Sequence, residues 1–206
     1  MKDPSLTLGI EEEYQIVDPE TRELRSYITQ ILDSDGQITV EGVKPELHQS
    51  VVEVGSSVCA TPSEIREEVV RLRGAVIDLA AEDGLKILAA GTHPFSSWMD
   101  QEITPLERYQ DVEQDLQDLA RKNLIFGMHV HVGIEDKEFL IDAMRVSRYF
   151  LPHILALSTS SPFWIGRTTG LKSYRSVQWR NFPRTGIPPT FHTHAEYEHI
   201  LRSLVR

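Results

Sequence analysis

The sequence predicts an α+β fold, with an antiparallel or mixed curved sheet carrying helices on one face. Two observations support this. Alternating or continuous apolar runs recur at Leu6–Val17, Val43–Val54, Leu85–Ala90 and Ile125–Ile134, and between them lie longer segments whose apolar residues recur every three or four positions. The chain has 206 residues, 40% of them hydrophobic and 25% charged. That length and composition suit one large soluble domain or two small ones, with a core of useful size.

The first predicted strand contains Leu8-Gly9-Ile10-Glu11-Glu12-Glu13-Tyr14-Gln15-Ile16-Val17. Side chains alternate across a strand, so Glu11 and Glu13 share a face, about 7 Å apart. Two carboxylates on a half-buried strand repel each other and lose hydration, and they call for a cation or a shared proton. Asp18-Pro19-Glu20-Thr21 reads as a turn, and Gln37 to Val40 as a short strand after the Asp35-Gly36 turn signal. Val43 to Val54 reads as one extended segment ending at Gly55.

Thr61-Pro62-Ser63-Glu64 is a capping box with proline at the first helical position. It opens a helix with Ile65, Val69, Leu72, Val76 and Leu79 on one stripe, ending near Asp83-Gly84. Thr104-Pro105-Leu106-Glu107 repeats the design before a stripe of Leu106, Tyr109, Val112, Leu116 and Leu119. A third helix starts near Asp136 with Phe139, Ala143, Val146, Phe150, Ile154 and Leu157 on one side, and Pro152 is expected to kink it. All three stripes are expected to be core. Thr193-His194-Ala195-Glu196 caps a last helix. Ser158 to Thr190 is a long stretch rich in Ser, Gly, Pro and aromatics with four arginines, a composition suited to holding a carboxylate or phosphate.

The net charge of −10 argues against a nucleic-acid surface, and no apolar run is long enough to span a membrane. Met1-Lys2-Asp3-Pro4-Ser5 has no apolar signal core, so the expected compartment is the cytoplasm. One cysteine, Cys59, excludes an intrachain disulfide and a Cys-rich zinc site, and it reads as a small buried hydrophobe. There is no P-loop, no Rossmann glycine fingerprint and no Gly-x-Ser-x-Gly elbow.

Gly127-Met128-His129-Val130-His131-Val132-Gly133 places two imidazoles on one face of a strand. Glu46 and Glu53 lie in the Val43–Val54 segment, and Glu53, between valines, is an odd place for an unpaired carboxylate. These carboxylates, with an occasional imidazole, suit Mg2+ or Mn2+ better than zinc. His93, between a strand end and a proline, is a candidate to face the site. His192-Thr193-His194, at a helix start, reads as capping geometry.

Gly9-Ile10-Glu11-Glu12-Glu13, Gly91-Thr92-His93-Pro94-Phe95, the His129/His131 segment and Ser161-Pro162-Phe163-Trp164, in this order, resemble the type 2 glutamate–cysteine ligase family, the YbdK-like carboxylate-amine ligases. The likeness runs from about Leu6 to Arg206. It implies a glutamine-synthetase-like catalytic fold and ATP- and Mg2+-dependent joining of a glutamate-like carboxylate to an amine through an acyl phosphate. It implies small amino-acid substrates. By position in the motifs, Glu11, Glu13 and Glu53 would be metal ligands, and His129 would contact metal or nucleotide phosphate with His131 beside it. Glu46 would hold metal or position the amine, Arg175 would bind the substrate carboxylate or a phosphate, and His93 would lie among the cofactor-binding residues.

Members of that family are longer, and their later arginine-rich strand and Glu-x-Arg strand do not occur here. Residues 1–206 are therefore expected to form the N-terminal portion of one catalytic domain with an incomplete sheet, whose free edge gives a reason for self-association. Two alternatives stand beside the ligase: a metal-dependent hydrolase using His129 and His131, and a non-catalytic truncated module.

Overall fold

The computed structural model describes residues 6–33 and 35–204. The N-terminal five residues, read above as lacking a signal core, lie outside them. The architecture is mixed α+β around an antiparallel sheet. Its central strand is β1 (Leu6–Val17). One edge of β1 pairs with β3 (Val51–Gly55), which pairs in turn with β2 (Val43–Pro45). The other edge pairs first with β5 (Met128–Ile134), over residues 6 to 12, and then with β4 (Lys86–Leu88).

Alternation along β1 assigns the two faces. Tyr14 and Ile16 join Val52 and Val54 of β3, the short helix α1 (Ile28–Ile31), and Leu72 and Val76 of α2 (Pro62–Glu82) in the main core. The Thr61 hydroxyl caps α2 by accepting from the Glu64 amide at 3.2 Å, and the Glu64 carboxylate accepts from the Ala60 amide at 2.8 Å. A second core of Val17, Leu24, Val51, Leu124, Phe126 and Trp164 closes the other face at the β1 C-terminal end. Between that plug and the N-terminal end of β1, the face carries polar side chains.

Helices occur on both faces, which corrects the one-face expectation. α2 lies on the core face. α5 (Lys137–Leu157) borders the same side, where its Ile141 and Leu151 line a cavity with Val132 and Ile134 of β5. On the polar face, Tyr109 and Val112 of α3 (Glu107–Leu116) and Arg175 and Trp179 of α6 (Arg175–Trp179) line a cavity, and the short α4 (Asp118–Arg121) follows α3. The remaining elements are a short 3-10 helix (Trp98–Asp100), the two-stranded hairpin β6 (Phe163–Trp164) and β7 (Arg167–Thr168), and α7 (His194–Leu204). Among the described residues, no helix is long and apolar enough to cross a membrane.

Four local expectations change. Val43–Val54 is not one extended segment: it folds back as the β2–β3 pair, and residues 46–50 make the turn. Gln37–Val40 supplies only an isolated bridge from Ile38 to Leu32. The N-cap of α3 is Leu106, two residues beyond the expected Thr104, because Thr104 is fully buried and gives its hydroxyl proton to the Glu46 carbonyl. The α5 stripe is not core: Val146, Phe150, Ile154 and Leu157 are 49 to 89% exposed, and among the helix residues only Ile141 is buried. α5 runs through Pro152.

On the core face, Glu12 is almost wholly buried and is met by Arg73 of α2, whose Nε donates to Glu12 at 2.9 Å and to the Tyr14 hydroxyl at 2.8 Å. Burial pushes the Glu12 carboxyl up, but the bonds from Arg73 and Tyr14 outweigh it and hold the group below its ordinary value. Arg73 is about half exposed, but removing it strands the buried Glu12 carboxylate. Discounted for that exposure, Arg73→Leu is expected to cost about 1–2 kcal/mol in urea unfolding at pH 7, and pairing it with Glu12→Gln should recover part of the loss. Equal losses for the single and double variants would show that the charge is not what matters.

Candidate active site

The polar face is a row of acidic and imidazole side chains set by strand register. Glu13 stands directly across from Glu53, Glu11 from His129, and Gly9 from His131. Lys44 stands across from Glu53 on the far side, with Nζ 3.6 Å from its carboxylate. The turn between β2 and β3 then returns Glu46 over this row. Carboxylate oxygens of Glu13, Glu46 and Glu53 all lie within 4.8 Å of one another.

Glu46 is held from both sides. Its carboxylate accepts from the Leu47 amide, and its carbonyl accepts from Thr104. Tyr109 packs beside it and donates its hydroxyl proton to the Pro45 carbonyl at 2.7 Å. Burial, with Glu13 and then Glu53 adding like charge, pushes the Glu46 carboxyl up to about 7. Burial also raises Glu13, although the Gly127 amide donates to it at 2.6 Å and His129 and Arg175 favour its charged form. Three carboxylates so close are mutually repulsive, and a divalent cation removes the repulsion. Glu13, Glu46 and Glu53 therefore fit a hard cation with oxygen ligands.

Glu11 is arranged differently. Its Oε2 lies 3.1 Å from His131 Nε2 and 3.3 Å from His129 Nδ1. Burial raises this carboxyl, but the bonds to His131 and His129 outweigh it and leave it below its ordinary value. Glu11 thus sits at the end of the acidic row, shared by both imidazoles, while Glu46 completes the tight trio.

Arg175 opens α6, and its Nε donates to the Phe126 carbonyl at 2.7 Å while its amide donates to Ser161 Oγ at 3.1 Å. Burial lowers its pKa and Glu13 opposes that. Gly127 makes this placement feasible, since a Cβ there would stand 2.6 Å from Arg175 Nη2 and 3.2 Å from His129 Nε2. A cavity of about 300 Å3 lies over the row. Its walls include Glu11, Glu13, Glu46, Glu53, His129 and Arg175, and its outer wall is the parallel ring pair of Trp179 and Phe182.

His93 does not join them. It is 2% exposed, its Nε2 bonds the Arg22 carbonyl at 2.9 Å, and its Nδ1 accepts from the Ser96 amide at 2.9 Å. Both ring nitrogens are spent on holding loops, which corrects the expectation that this residue faces a cofactor. His194 pairs with Glu198 in α7, away from the row. Tyr109 and buried His48, also on the cavity wall, were not among the sequence candidates. Tyr109 lay on an apolar stripe, and nothing local marked His48.

Residues 7–206 match the profile of glutamate-cysteine ligase family 2 (GCS2). The chain belongs to that family. Relatives in it include proteins named "Putative glutamate--cysteine ligase 2" from Roseiflexus castenholzii, 65% identical over 97% of this chain and 53% of theirs, and from Chloroflexus aurantiacus, 64% identical over 98% of this chain and 52% of theirs. The chain spans about half the length of these relatives. Among solved structures, a bifunctional glutathione synthetase from Pasteurella multocida superposes with a TM-score of 0.72 at 13% identity, covering 97% of this chain and 30% of that one. A glutamate–cysteine ligase from Francisella tularensis, in complex with AMP, gives 0.52 at 12% identity over 72% of this chain and 30% of that one. These two likenesses are of fold.

In this glutamate–cysteine ligase family member, the Glu46 shift makes stability depend on pH. The folded carboxyl titrates near 7 and the unfolded one near 4.5. The stability it contributes is complete below the lower value and lost as pH rises through the upper. Without divalent cation, wild type is expected to lose on the order of 1–3 kcal/mol relative to Glu46→Gln between pH 5 and pH 8, while the raised Glu13 carboxyl adds a loss of the same sense to both proteins. Buried His48, lowered to about 4, acts in the opposite sense, losing stability as pH falls from about 6.5, and it contributes equally to both proteins. Parallel pH slopes in thermal melts of the two, in chelator, would refute the assignment.

Proposed function

We propose that this chain is the N-terminal portion of the catalytic domain of an ATP- and Mg2+-dependent carboxylate-amine ligase, built on a glutamine-synthetase-like sheet. The observation that carries the reading is the convergence of Glu13, Glu46 and Glu53 beneath a cavity that also presents Arg175 and His129. Family membership supports ligase chemistry. The relatives' names support glutamate and cysteine as the class of substrate, and the AMP in the Francisella protein supports use of a nucleotide.

In this reading the γ-phosphoryl group of ATP passes to the acid's carboxylate, the amine attacks the acyl phosphate, and phosphate leaves as the amide forms. Glu13, Glu46 and Glu53 would hold the divalent cation, which supplies charge neutralisation for phosphoryl transfer when bound. Arg175, with Nε committed to Phe126, keeps its terminal N–H groups for a carboxylate or phosphoryl oxygen. Its burial strengthens that contact and pre-pays its orientation. The paired histidines keep Glu11 ionised and fixed at the end of the row. Trp179 and Phe182 shield the cavity from bulk water.

Titration calorimetry of ATP with Mg2+ against the wild type and Glu13→Gln tests the reading. Binding that requires Mg2+ and falls at least tenfold in the variant is expected, since the lost carboxylate is a ligand. In a full-length relative, ADP should appear only when a glutamate-like acid is supplied. If neither protein binds nucleotide with Mg2+, the ligase reading fails. Tight zinc with ATP-independent hydrolysis would favour the His129/His131 hydrolase instead.

A further inference from the structure

α3 lacks the supports that usually hold a helix. It has ten residues, and none of them is buried. Its N-cap, Leu106, offers no side-chain acceptor, because Thr104 is turned to the Glu46 carbonyl instead. Its last turn holds Glu113 and Asp115 and no basic residue, the wrong charge for a helix C-terminus. α2 is the contrast: Thr61 caps it, and it buries Leu72, Val76 and Ala80. A short helix with neither cap nor burial is marginal in water.

The segments on either side of α3 are fixed. Thr104 is fully buried, and its amide donates to the Leu47 carbonyl at 2.8 Å. Beyond α3, Ala120 is fully buried, and the Arg121 carbonyl lies 3.0 Å from Nε2 of buried His48. Between α3 and α4 stands Gln117, with φ 49° and ψ −123°. That φ belongs to the left-handed region that favours glycine, so a side chain there is strained. The strain sits at the joint between a fixed helix and a weakly held one.

The near end of α3 is held by the turn that carries Glu46. The Tyr109 hydroxyl donates to the Pro45 carbonyl at 2.7 Å, and Arg108 Nη2 reaches the same oxygen at 3.4 Å. Tyr109 and Val112 thereby stand in the wall of the cavity over the carboxylates. At the far end, a partly exposed ion pair of Glu113 with Arg121, 2.9 Å long, ties α3 to α4.

We propose that α3 is a hinged cover of the catalytic cavity, pivoting at Gln117 and latched through Pro45 to the Glu46 turn, so that a cation drawing Glu46 onto Glu13 and Glu53 also sets α3 in place. The inference rests on the cation-site reading above. In the empty site, three repelling carboxylates loosen the Glu46 turn, the latch loosens with it, and the strained joint favours release. Closure brings Tyr109 and Val112 over the reacting groups and keeps out the water that would hydrolyse an acyl phosphate.

The test is amide hydrogen exchange on this chain, read beside calorimetry with Mn2+ as the probe. Without cation, the α3 amides should exchange roughly tenfold faster than those of α2, and saturating Mn2+ should slow them roughly tenfold while leaving α2 unchanged. Gln117 does not line the cavity, and Gln117→Gly relieves the joint. It should slow α3 in the empty chain and tighten Mn2+ by the same factor, because coupling between two sites is reciprocal. A merely structural Gln117 gives the opposite result, since glycine loosens an ordinary helix end. Tyr109→Phe cuts the latch and should leave α3 fast at saturating Mn2+. If α3 is as slow as α2 in the empty chain, or stays fast in wild type once calorimetry shows Mn2+ bound, the cover is overturned and the cation site stands. A Gln117→Gly chain with faster α3 exchange overturns the hinge, and a Tyr109→Phe chain that Mn2+ still slows overturns the latch. Failure of wild type and of a full-length relative to bind Mn2+ overturns both the cover and the cation site.

Discussion

The two-residue period of β1 governs the molecule. It is the central strand, paired on both edges, so its side chains have only two directions available. Three consecutive glutamates on it must therefore serve two purposes. Glu12 points into the helical layer and is neutralised by Arg73. Glu11 and Glu13 point the other way, where histidines, Arg175 and a glycine amide meet them. A one-residue slip in pairing would exchange these roles and leave two carboxylates facing the core. The same alternation puts Tyr14 and Ile16 in the core, so the register that buries the apolar side chains also assembles the acidic row.

Around this fixed strand, the site is completed by segments that come from far along the chain. Glu46 arrives on a turn, braced by Thr104 from the loop before α3. Arg175 arrives at the start of α6, braced by Phe126 and Ser161. Both are ionisable groups positioned by neutral partners, main-chain groups and hydroxyls. That arrangement fixes where they sit without using a countercharge.

Much of this was legible in the sequence because period and capping are local. The shared face of Glu11 and Glu13, the histidine pair, and the caps at Thr61, Asp136 and Thr193 follow from neighbours within four residues. The rest depended on chain reversal or tertiary competition. Val43–Val54 reads as uniformly extended, and nothing in its pattern announces the fold-back that brings Glu46 over Glu53. Thr104 has the sequence of a cap, but its hydroxyl finds a better partner in the Glu46 carbonyl. His93 has two ring nitrogens that any loop carbonyl or amide can claim, and residue type alone does not say which partner wins. The apolar stripe of α5 has core periodicity, yet periodicity marks which side is apolar and not whether another layer lies against it.

β5 carries one more consequence. Among the described residues it pairs with β1 alone, so its opposite rim has no partner. Successive amides of a strand point to opposite rims. Deuterium labelling of this chain should therefore sort the amides of Met128–Ile134 into two interleaved sets, one slow beneath the β1 ladder and one fast at the open rim. A slow outer set would be a direct sign that another strand has docked there, read out a hydrogen bond at a time beside the two histidines.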